Sequence, residues 1–148
     1  PNGVLVSPDD RYLYVADNNN NHHVTRQLYR FDLKKDGTID PASRKEIYSW
    51  ENGRGPDGLK MDVKGRLFVA GGLNKPNQYE PSQKFKSGVY VLSPEGKLLD
   101  FIAIPIDEAT NCAFGGDDLK TLYITSGGTL WSVNVDVPGY VNYKRKSR

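Results

Sequence analysis

One motif recurs three times along the chain, and the recurrence limits the folds open to it. Pro1-Asn2-Gly3 leads into Val4-Leu5-Val6, a turn at Ser7-Pro8-Asp9-Asp10, and Tyr12-Leu13-Tyr14-Val15. Pro56-Asp57-Gly58 leads into Leu59-Lys60-Met61, a turn at Val63-Lys64-Gly65, and Leu67-Phe68-Val69. Thr110-Asn111 leads into Cys112-Ala113-Phe114, a turn at Gly116-Asp117-Asp118, and Leu122-Tyr123-Ile124. The opening residues Asn2, Asp57 and Asn111 stand 55 and 54 positions apart. A fixed period of this size is the mark of a repeat architecture.

Each unit reads as antiparallel strands. Turn-forming residues separate short β-rich runs, and alternating apolar and polar positions fit strands with one covered face. The pattern repeats in the second half of each unit. Leu28-Tyr29-Arg30-Phe31-Asp32 precedes the hairpin signal Lys35-Asp36-Gly37-Thr38; Gly88 to Leu92 precedes Ser93-Pro94-Glu95-Gly96 and a run from Lys97 to Ile104; Thr129 to Val133 begins the third such pair. No segment sustains a 3.6-residue period, and Pro105 to Thr110 has room for one helical turn at most.

Four strands per repeat is the blade of a β-propeller. A β-sandwich of equal strand count gives no reason for the repeat. The expectation is an all-β chain of about three four-stranded blades, at roughly 1–54, 55–108 and 109–143, with a basic tail over 144–148. Propellers close with roughly 4–8 blades, so these residues are expected to need a missing N-terminal half or a second chain. The start at Pro1, without Met, fits that expectation.

Composition narrows the function. Twenty Lys and Arg against 18 Asp and Glu leave a net charge of +2, too balanced for a nucleic-acid surface. No apolar run reaches the ~18 residues of a membrane-spanning helix. Cys112 is the single cysteine; it excludes an intrachain disulfide and reads as a small buried apolar residue. No Ser-His-Asp set, phosphate-cradling loop or dinucleotide fingerprint is present.

In a propeller the equivalent strand starts gather at one mouth of the central channel. Asn2, Asp57 and Asn111 would meet there, flanked by the connections Asn18 to Arg26, Gly72 to Ser87 and Ser126 to Gly128. Asn and Asp offer hard oxygen donors suited to Ca²⁺, Mg²⁺ or Mn²⁺. Three donors are too few for a cage. Taken singly, Asp-Gly and Asn-Gly are common turn dipeptides; the shared repeat position is what argues for a site. Asp17 closes its strand near the same mouth, or is a strand-end turn residue. Asp17, Asn19 and Asn21 have the first spacings of an EF-hand loop, but His22 or His23 replaces the required Gly and Leu28 stands at the twelfth position. That stretch reads as a polar loop from which His22 or His23 could touch substrate. Tyr79, Lys84 and Phe85, in the second long connection, either cover the pocket or pack on neighbouring blades.

These motifs resemble the gluconolactonase/regucalcin (senescence marker protein) family. The matching residues are Pro1-Asn2-Gly3 with Tyr14-Val15-Ala16-Asp17, Gly55-Pro56-Asp57-Gly58 with Leu67-Phe68-Val69-Ala70, and Asn111 to Gly116 with Leu122-Tyr123-Ile124-Thr125. The resemblance implies a six-bladed propeller of which this chain is the C-terminal half. It implies a divalent metal in the channel, calcium first, with zinc, magnesium or manganese as alternatives. Asn2 matches a metal ligand, and Asp57 matches a metal-ligand aspartate that also serves as the general base. Asn111, or Thr110 beside it, falls where relatives place another site residue. The family's metal-binding glutamate and its substrate-binding Arg and Asn have no counterpart here.

The implied activity is metal-dependent hydrolysis of sugar-type lactones, a gluconolactonase-like carboxylic ester hydrolysis. The substrate is then a small-molecule lactone, and a fragment alone is expected to be inactive. A related esterase or phosphotriesterase, or a non-catalytic propeller that binds a ligand or protein, are the alternatives; fold does not choose among them. Metal-dependent lactone turnover separates the enzyme from the binding module. The compartment stays open between periplasmic or secreted and cytoplasmic.

Overall fold

A computed structural model describes residues 1–19 and 24–141. Among them are eleven strands and no helix. They form three antiparallel sheets in chain order. The first holds β1 (Val4–Val6), β2 (Tyr12–Asp17), β3 (Gln27–Leu33) and β4 (Ile39–Ser49). The second holds β5 (Pro56–Met61), β6 (Leu67–Gly71), β7 (Gly88–Leu92) and β8 (Leu98–Ala103). The third holds β9 (Ala109–Gly115), β10 (Thr121–Ser126) and β11 (Thr129–Asn134). Each strand pairs with the next in sequence, and no connection crosses between sheets out of order.

The sheets stack face to face, as propeller blades do, with β5 packed against β1 on one side and β9 on the other. Period-2 alternation builds the stack. In the middle sheet Leu67, Val69, Tyr90 and Leu92 face the first sheet, where they meet Tyr14, Ala16, Leu28 and Trp50. Phe68, Val89 and Val91 point the other way, onto Cys112, Leu122 and Ile124 of the third sheet. Every residue of β6 and β7 is therefore buried. Edge-to-face packing of Trp50 on Tyr90, 5.2 Å between ring centres, and of Phe68 on Phe114, 5.0 Å, joins each pair of sheets.

Hairpins tie the sheets at their ends. Gly96 sits at φ +94°, and a Cβ there would come within 1.6 Å of the Ile47 carbonyl oxygen, so only glycine lets the β7–β8 turn lie against β4. Pro41 falls within β4, the outer strand of its sheet, where a missing N–H is tolerated.

The third sheet departs from the four-strand expectation: among the described residues it has three strands. After β11 the chain runs back beneath the stack instead of returning along the sheet edge. Val135 N donates to Lys120 O, Gly139 N to Leu119 O and Tyr140 N to Met61 O, each at 2.8–2.9 Å, while Val63 N donates to Pro138 O at 3.0 Å. The backbone groups of this segment are satisfied on the turns at the foot of β5 and β9. The tail over 144–148 lies outside the described residues, as do His22 and His23.

Candidate functional site

The starts of the three inner strands converge. A Cβ on Gly3 would lie 2.4 Å from the Asp57 carbonyl oxygen, and a Cβ on Gly58 would lie 2.0 Å from Asn111 Oδ1. The glycine beside each of Asn2 and Asp57 thus lets neighbouring inner strands approach closely. Asn2 is exposed just ahead of β1, anchored by its N–H on the Ala16 carbonyl at 2.7 Å. Asp57 lies near the start of β5 with its side chain mostly covered. Asn111 is exposed on β9, and its Oδ1 accepts the N–H of Cys112 at 2.9 Å.

The other candidates sit around this group. Asp17 ends β2, half-buried, in the sheet position next to Asn2. Thr110 is paired away: its Oγ1 lies 3.0 Å from Thr125 Oγ1, on the edge of a groove of about 550 Å³ shared with Glu108. Of the second connection's residues, Phe85 is buried in the core with Trp50, while Lys84 is exposed and forms an ion pair with Glu51 at 2.5 Å. Tyr79 remains largely exposed. Cys112 is buried, as its apolar setting required, and burial pushes its thiol up to about 12.

An ionic hub beside Asp57 is absent from the sequence reading. Arg54, three residues before Asp57, faces three carboxylates. Its Nη2 lies 3.6 Å from Asp57 Oδ2, its Nη1 3.4 Å from Glu80 Oε1, and its Nε 3.0 Å from Glu108 Oε2. Arg26 backs the hub with a side chain 2% exposed. It donates to the carbonyls of Asn19 and Gly53 at 2.9 and 3.2 Å, and its Nη2 stands 4.0 Å from Glu80 Oε1. Glu80 comes from the β6–β7 connection and Glu108 from the segment before β9. A charged residue at each place was readable; their convergence across 26 to 54 positions was not.

Burial raises the Asp57 carboxyl above its ordinary range. Arg54 pulls it down, and the like charge of Glu108 adds to the rise. The donors at the mouth are a carboxylate and amide oxygens, a chemistry that fits a hard divalent cation. Among the described residues no three His, Cys, Asp or Glu side chains are grouped to hold a metal by themselves.

Sequence and fold comparisons define the class. Residues 1–128 match the model of the SMP-30/Gluconolactonase/LRE-like region, and the chain belongs to that family. It is 35% identical to a 6-deoxy-6-sulfogluconolactonase of Pseudomonas putida, over 93% of this chain and 47% of the relative. It is 31% identical to a regucalcin of Danio rerio (84% and 37%) and 28% identical to a gluconolactonase of Zymomonas mobilis (94% and 36%). The chain thus spans half or less of the length of these relatives. Its fold superposes on a calcium-binding regucalcin of Agrobacterium tumefaciens with a TM-score of 0.71 at 19% identity, covering 94% of this chain and 47% of that one. A luciferin-regenerating enzyme gives the same TM-score at 23% identity, with coverage of 94% and 46%.

Proposed function

We propose that this chain carries part of the active site of a metal-dependent hydrolase that opens sugar-type lactones. The observation that supports the reading best is the close packing of Gly3 on Asp57 and of Gly58 on Asn111, which brings together the starts of three adjacent inner strands, each carrying an oxygen-bearing residue. Family membership and relatives named as lactonases point the same way.

Asn2 and Asp57 would hold the ion, with Asn111 at the rim. A divalent cation held there, calcium first, would supply Lewis-acid stabilisation of negative charge on the lactone carbonyl oxygen. Asp57 accepts a proton from the attacking water as its oxygen bonds to the carbonyl carbon. The tetrahedral species then collapses: the bond to the ring oxygen breaks, that oxygen takes up the proton that Asp57 accepted, and the product is the open hydroxy acid. Burial raises the Asp57 carboxyl above its ordinary range and Arg54 opposes that rise. Remaining ligands and substrate contacts come from outside the described residues.

The test is Asp57→Asn in the natural protein, assayed on δ-gluconolactone with Ca²⁺ and after chelation. A fall in turnover of about 100-fold or more is expected, since both a ligand charge and the base are lost. Turnover near that of the parent would overturn the assignment. Metal-independent turnover would point to a different hydrolase, and ligand binding without turnover to a binding propeller.

A further inference from the structure

We propose that Arg54 is a positioning residue of this site, fixing the orientation of Asp57 and locking the two flanking connections onto it. The inference rests on the reading of Asp57 given above. Three carboxylates from three separate parts of the chain converge on one guanidinium: Asp57 from β5, Glu80 from the β6–β7 connection, and Glu108 from the segment leading into β9. A planar guanidinium presents five N–H donors in a fixed fork, so it can hold several carboxylates at set angles; an ammonium is a single point charge.

The jaws of this clamp are themselves held. Asp107, next to Glu108, accepts the backbone N–H groups of Asn74 and Lys75 at 2.5 and 2.9 Å. On the other side the N–H of Ala109 donates to Ser87 Oγ at 3.0 Å. Glu108 is therefore presented to Arg54 by a segment pinned at both ends. Glu80 is shared with the buried Arg26. Arg54 stands against Asp57 Oδ2 and leaves Oδ1 outside that ion pair. Each of its three nitrogens lies within 3.6 Å of a carboxylate oxygen, with Nη1 donating to Glu80 Oε1 at 3.4 Å, so Arg54 acts through Asp57 and not on substrate.

Removing Arg54 leaves three like charges converging with only Arg26, 4.0 Å from Glu80, opposing them. Asp57 loses its orientation, and Glu108 is free to swing. The same change removes a cation 3.6 Å from the Asp57 carboxylate, so affinity for a divalent ion should hold or rise.

The experiment compares Arg54→Met and Arg54→Lys in the natural protein, by steady-state kinetics on δ-gluconolactone and by calorimetric titration with Ca²⁺ and Mn²⁺. Arg54→Met should lower kcat about tenfold or more with KM within about threefold, the pattern of misplaced catalytic geometry. The metal Kd should be unchanged or tighter, and Arg54→Lys should recover only part of the loss. A kcat within about twofold of the parent overturns the proposal, as does a metal Kd that weakens in step with kcat, which would make Arg54 a folding residue only. If Arg54→Met does not fold, Glu108→Gln decides: a kcat fall of about threefold or more supports the clamp, and no change overturns it. Asp57→Asn run in parallel separates the two readings. If it is inactive while Arg54→Met is normal, only the clamp fails; if it keeps turnover, the base assignment fails whatever Arg54 does.

Discussion

The middle sheet and its two neighbours share a strand pattern but not an environment. In β6 and β7 every side chain is buried, because the sheet is covered on both faces. The first and third sheets are covered on one face only. In the first, Tyr14, Ala16 and Leu28 go inward, while Val4, Val6, Leu13, Val15, Tyr29 and Phe31 share the opposite face through their cross-strand pairings. Val4 is 63% exposed there. In the third, Leu122 and Ile124 are buried, while Tyr123 and Leu130, on the other face, are 40% and 67% exposed. A strand's burial here reports the number of neighbouring sheets more than the strand's own composition. The flanking sheets carry apolar residues on both faces, as a sheet built to be covered twice would.

The turns between the first two strands of each sheet make a second comparison. In the middle sheet Asp62 is fully buried. It caps its turn through the N–H groups of Lys64 and Arg66 at 2.9 and 3.0 Å and pairs with Arg66 Nε at 2.6 Å. In the first sheet the turn is capped at the surface: Asp9 accepts from Ser7 Oγ at 2.6 Å and the Arg11 N–H at 3.3 Å, Ser7 Oγ accepts the Tyr12 N–H at 3.0 Å, and the Asp9–Arg11 ion pair is loose at 3.9 Å.

Three measurements sharpen or break these contrasts. The largest effect is expected from Leu92→Ala in the middle sheet. Cavity formation should cost about 2–5 kcal/mol in urea unfolding, against no more than about 0.5 kcal/mol for Leu130→Ala on the outer face of the third sheet. A Leu130→Ala loss of about 1.5 kcal/mol or more in the natural protein would show that this face is covered there. Next comes Asp62→Ala, expected to cost about 3 kcal/mol because it leaves two turn amides and the Arg66 guanidinium without their acceptor. Asp9→Ala should have a small effect by the same measurement, and equal losses would erase the distinction between the two turns.

The smallest effect is chemical. Cys112 faces the middle sheet, and burial lifts its pKa from 9.0 to about 12. The folded state therefore favours the protonated thiol. That contribution to stability is complete below pH 9 and declines as pH rises toward 12. Thiol reagents should react at least about 100-fold faster in denaturant than in the folded protein, and Cys112→Ala should flatten part of the alkaline loss of stability. Rapid labelling of the native protein would mean that the interface between the second and third sheets opens readily.

Local pattern alone carries the repeat, the eleven strands and the residues that open each unit, but it also called for a fourth strand that the third sheet lacks among the described residues. Strand identity depends on alternation between adjacent positions, and turns depend on Gly, Pro, Asn and Asp at fixed offsets; both are local and can be read off the chain. That is why Asn2, Asp57 and Asn111 were legible as equivalent positions. Which sheet is buried twice, the return of the chain after β11 under β5 and β9, and the meeting of Asp57, Glu80 and Glu108 at Arg54 all depend on how the sheets stack. These features join residues far apart in sequence, and no local pattern marks an ion pair between connections that meet only when the sheets stack. Burial and Coulomb attraction, acting across those distances, turned scattered charges into one hub beside Asp57.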